Sequence, residues 1–82
     1  METSDPRADP TVVDLIELAG LWLAAGDQGA LRITLERLDQ QLSSRFGQDQ
    51  AFAERFRQLY RLVSAGSSAE EIRRAYRRAV VG

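Results

Sequence analysis

Three features of this 82-residue chain predict an all-α fold. Apolar residues recur at steps of three and four, no stretch alternates with period two, and glycines or capping residues separate the periodic segments. Together they describe a compact bundle of about four short antiparallel helices. The length admits a single domain, expected over 10–82, behind an unstructured stretch at 1–9.

The elements follow in order. Residues 1–9 are polar and lack any apolar period, so they predict a disordered tail. Asp9 is placed to cap the first helix, Pro10 suits its first position, and Asp14 and Glu17 are expected near its positive end. This helix runs to Ala25, where Gly26 supplies a left-handed stop. The second helix follows Asp27, another cap, and extends to about Phe46 before Gly47. Leu31, Leu35, Leu38 and Leu42 form its apolar stripe, with Phe46 continuing it, while Gly29 weakens its first turn.

The third helix is expected from a cap at Asp49 to Ser64 or Ala65, with Gly66 beyond. Phe52, Phe56, Leu59 and Val63 repeat the stripe. In the fourth helix Ser68 and Glu71 have the spacing of a reciprocal capping box. Ile72, Ala75, Tyr76, Ala79 and Val80 are expected on its inner face. Connections of two to four residues favour packing between consecutive helices.

Composition narrows the function classes. The chain has no histidine, cysteine or lysine, which removes the usual general base, thiol nucleophile, Schiff-base amine and transition-metal ligands. Asp14 and Glu17 lie one turn apart, but their spacing also suits a helix start. Ser43, Ser44, Ser67 and Ser68 have no base to activate them, and Gly26 and Gly29 lack the Lys-Ser/Thr ending of a phosphate loop. No catalytic residue, metal site or cofactor is expected. The polar first ten residues do not resemble a signal peptide, and Leu18–Ala25 is too short to span a membrane. A cytoplasmic location is therefore expected.

What remains is surface. In the first helix Val12, Leu15, Ile16, Ala19, Trp22 and Leu23 share one broad face, yet Leu21 falls between Asp14 and Glu17 and Leu18 lies on the flank. A bundle this small leaves part of such a helix uncovered. Ile33 points away from the leucine stripe, and Tyr60 and Leu62 flank the third. Leu18, Leu21, Trp22, Ile33 and Leu62 are therefore the candidate partner-binding residues, although a tryptophan on an apolar face such as Trp22 more often belongs to the core.

Charge is uneven. Residues 1–41 carry a net −5 and residues 42–82 a net +4. Arg73, Arg74, Arg77 and Arg78 form two pairs around Tyr76, with Arg55, Arg57 and Arg61 able to extend them, so they are candidates for binding an anion or an acidic partner. Glu70 and Glu71 stand where local ion pairs form, and Arg77 and Arg78 favour the negative helix end. The segment Ser-Ser-Ala-Glu-Glu-Ile-Arg-Arg-Ala-Tyr-Arg-Arg-Ala at 67–79 resembles the start of the second helix of J-domain co-chaperones. The His-Pro-Asp loop that engages the chaperone partner in that family has no counterpart here, and the resemblance implies no activity.

These residues lead to one expectation and one alternative. The first is a non-catalytic interaction module (adaptor, chaperone or assembly factor) that docks another protein or a second copy through the first helix. The alternative is a small nucleic-acid-binding regulator using the arginine-rich helix. Neither involves a membrane.

Overall fold

The computed structural model describes residues 8–45 and 50–81. It consists of α1 (Pro10–Ala25), α2 (Gln28–Arg45), α3 (Gln50–Ser64) and α4 (Ala69–Val81), with no strand among the described residues. Consecutive helices pack on one another, and a thinner seam brings α4 back onto α1. The radius of gyration is 12.0 Å, close to the roughly 12 Å that a compact domain of this length adopts.

The helix boundaries have local chemical causes. The Asp9 carboxylate accepts from the backbone N–H of Thr11 at 2.9 Å and of Val12 at 3.2 Å, satisfying two donors that have no partner within the helix. Asp27 does the same for Ala30 at 3.0 Å. In the fourth helix, Glu71 N–H donates to Ser68 Oγ at 3.2 Å and Ser68 N–H donates to the Glu71 carboxylate at 3.4 Å. This is the reciprocal box its spacing predicts.

Two helices end alike. Gly26 and Gly66 both adopt φ of 77°, and the following residues donate back to Trp22 and Leu62 at 3.0 Å each. That left-handed close is cheap only for glycine. The expected end of α2 at Phe46–Gly47, the cap at Asp49 and most of the 1–9 stretch lie outside the described residues. Asp14 and Glu17 fall beyond the first turn of α1, so Asp9 is the anion that meets the helix dipole.

The two middle helices supply most of the core. Leu31, Leu35, Leu38 and Leu42 of α2 meet Phe52, Phe56, Leu59 and Val63 of α3, all buried. Phe52 and Phe56 pack edge to face with centroids 5.1 Å apart, the arrangement their ring quadrupoles favour. Each such side chain contributes about 1.5–3 kcal/mol on burial. Thr34 is buried too, because its hydroxyl donates to the Ala30 carbonyl at 2.9 Å and needs no other partner.

The outer helices bury less. In α1 only Val12 and Ala19 are fully enclosed, and in α4 only Ile72 and Ala79. Val80 departs from its expected inward placement and is 44 % exposed. It lines an open groove beside Gly20, Leu23 and Ala24 of α1, which cover it only in part.

Candidate functional site

One polar contact fixes α4 against α1. The Tyr76 hydroxyl donates to the Ile16 carbonyl at 2.8 Å, joining residues 60 apart in sequence. The phenol also lies directly against Gly20, where an added Cβ would come within 2.5 Å of the hydroxyl oxygen. A mid-helix glycine costs roughly 1 kcal/mol relative to alanine; here it makes room for the tyrosine. Burial pushes the Tyr76 phenol above its ordinary value, and the negative charge of Glu17 pushes it further the same way.

Among the candidate contact residues of the first two helices, Leu21 is 61 % exposed, Ile33 51 % and Leu18 39 %. Trp22 is half-buried and packs against the core with Leu15, Ile16 and Leu23. Its indole is therefore partly core. Leu62 is also half-buried, but it lines a groove between α3 and α4 with no residue of α1 or α2. None of the other four candidates lines that groove.

That groove gathers the basic side chains. One section, about 330 Å³, is lined by Gln58, Leu62, Glu71 and Ala75. An adjoining section of about 540 Å³ is lined by Arg77 and Val81. Arg55, Arg74 and Arg78 line both. Arg73 points to the opposite flank, where it lines a separate groove with Gly20 and Leu23 of α1, and Arg77 reaches both. The four arginines of α4 thus serve two flanks and do not form a single row.

Ion pairing sorts the arginines further. Arg57 donates to Asp39 at 3.3 Å and to Glu54 at 3.3 Å, and Arg61 lies 3.9 Å from Glu54. These two are committed to an α2–α3 network and do not extend the basic groove; Arg55 alone of the three does. Arg74 pairs with Glu70 at 3.6 Å on an exposed flank. Glu71 turns to the Ser68 cap and makes no ion pair with an arginine among the described residues. Arg77 and Arg78 make no ion pair among the described residues. The Nη1 of Arg55 is buried with no hydrogen-bond acceptor.

Sequence reasoning placed Arg55 in the basic set but had no means of separating it from Arg57 and Arg61. Arg55, Gln58 and Leu62 follow at three and four, one stripe beside the core stripe, but only the packing of α4 makes that stripe the wall of a groove. Among the described residues no three carboxylates converge as a metal site would require, and no helix is long and apolar enough to cross a membrane. No family model, curated protein or solved structure matches the chain.

Proposed function

We propose that this chain is a non-catalytic protein-interaction module, an adaptor, chaperone or assembly factor, whose contact surface is the outward face of α1. The observation that carries this reading is Leu21, 61 % exposed in the middle of a helix whose inner side is already packed. Leu18 beside it and Ile33 on α2 supply further uncovered apolar surface. Burying such side chains against a partner removes apolar area from water at about 25 cal/mol per Å². Trp22 lies at the edge, half in the core, as an anchor shared between fold and contact.

The partner is another protein or a second copy of this chain. Sedimentation mass of the purified chain, and native mass of the complexes it forms in cells, test the reading together. A species heavier than the monomer is expected, and Leu21→Glu should abolish it while helicity is kept. A strict monomer in both measurements, or assemblies indifferent to Leu21→Glu, would contradict it.

Nucleic-acid binding is the second reading, favoured by the four exposed arginines of α4. It fits less well, because those arginines point to two flanks and the chain as a whole carries net charge −1. A cytoplasmic setting, with no cofactor, belongs to the same proposal.

A further inference from the structure

We infer that the α3–α4 groove binds an acidic amphipathic helix of a partner protein, at a surface separate from the α1 face. Three observations converge on this occupant.

The first is the convergence of three guanidinium groups, Arg55, Arg74 and Arg78, along one groove. Like charges brought together repel one another until an anion enters. Among the described residues, the only ion pair of these three is the exposed one of Arg74 with Glu70. Glu71 also lines the groove, and the Ser68 cap engages its carboxylate.

The second is the buried Nη1 of Arg55, which has no acceptor. A charged donor taken out of water without a partner costs several times what an exposed one does. Arg55 also lines the groove, so a carboxylate docking there would offset that cost through its charge, without reaching the enclosed nitrogen itself.

The third is the apolar lining. Leu62 and Ala75, both half-buried, and the exposed Val81 line the groove together with the guanidinium groups. A ligand that fills it must carry apolar groups together with negative ones. A helix with leucines at three-and-four spacing, flanked by Glu or Asp, meets both demands. A nucleic-acid backbone brings phosphates without that apolar face, and its affinity would rest on overall basicity, which this chain lacks.

Fluorescence anisotropy tests the inference with four probes. These are a labelled peptide of about 16 residues with leucine at helical spacing and glutamate elsewhere, its composition-matched scramble, its lysine counterpart, and single-stranded DNA of similar length. The acidic amphipathic peptide should bind most tightly, and more weakly as salt rises. Arg78→Gln and Arg55→Gln should each weaken it about tenfold, whereas Arg73→Gln on the other flank should change it less than about twofold. Leu21→Glu should leave it unchanged, which separates this site from the α1 face. Arg78 is exposed, so its variant keeps the test valid even where Arg55→Gln disturbs folding. Equal binding of the scramble or of the lysine peptide would overturn the inference. So would tighter binding of the DNA, absence of binding to the acidic peptide, or indifference to Arg78→Gln.

Discussion

Helices α1 and α4 share a seam and bury the same amount tightly, two small or medium side chains each, yet their surfaces are opposites. Outside Val12 and Ala19, α1 presents Leu18 and Leu21; outside Ile72 and Ala79, α4 presents four arginines. The leucine and phenylalanine stripes of α2 and α3 already meet the demand for a core. The peripheral helices are therefore free to carry what a partner would recognise, apolar surface on α1 and positive charge on α4. Their seam is thin, held chiefly by the Tyr76 hydroxyl on the Ile16 carbonyl and by the space Gly20 leaves for it.

The sharpest break between centre and periphery should come from the core. Phe56→Ala removes a fully buried ring that packs on Phe52, and a loss of about 3–5 kcal/mol is expected in urea unfolding. In so small a domain that is most of the stability. Leu21→Glu, at the surface of α1, should by contrast change stability by less than about 0.5 kcal/mol.

A smaller effect sharpens the account of the seam. Gly20→Ala in an ordinary helix would stabilise by roughly 1 kcal/mol. Here the new Cβ would sit 2.5 Å from the Tyr76 oxygen, so a net loss of about 1–2 kcal/mol is expected. In the background of Tyr76→Phe, which itself forfeits a hydrogen bond of about 1 kcal/mol, that loss should shrink. A double-mutant cycle measures the coupling; strictly additive effects would mean that the two residues do not share the seam.

The same tyrosine sets a pH dependence. Its phenol holds its proton more tightly in the folded chain than in the unfolded one. The stability this contributes is complete below the ordinary phenol value of about 10 and is lost as pH rises through the higher folded value. With no lysine or cysteine in the chain, few other groups obscure that range. Unfolding free energy should fall with rising pH there, and Tyr76→Phe should flatten the slope.

The smallest of these effects concerns the cap. Ser68→Ala breaks the reciprocal box with Glu71 and should cost about 1 kcal/mol, read as a small drop in the urea midpoint.

What the sequence made legible was whatever depends on near neighbours. Asp9, Asp27, Ser68 with Glu71, Gly26 and Gly66 act within four or five residues, and each stands in its expected role. The leucine and phenylalanine stripes were equally readable, because one helical period fixes them. Contacts between distant segments were not. Nothing local ties Tyr76 to Gly20, or distinguishes Arg55, which faces α4, from Arg57, which faces Asp39 across the α2–α3 contact. Val80 was misplaced for the same reason, since its exposure depends on how little of α1 reaches it. Thr34 shows the converse: its hydroxyl is satisfied by its own helix, so a polar residue joined the core unannounced. Of the proposed contact residues, the exposure of Leu18 and Leu21 followed from α1 alone, while the place of Leu62 in the α3–α4 groove needed the fold.

Hydroxyl-radical footprinting of the native assembly against the isolated monomer puts the proposed contact face to its most direct test. Labelling of Leu18, Leu21 and Ile33 should fall on assembly while that of Val80 is unchanged. If those three side chains label equally in both states and protection appears only on α3 and α4, the outward face of α1 is not where this protein meets its partner.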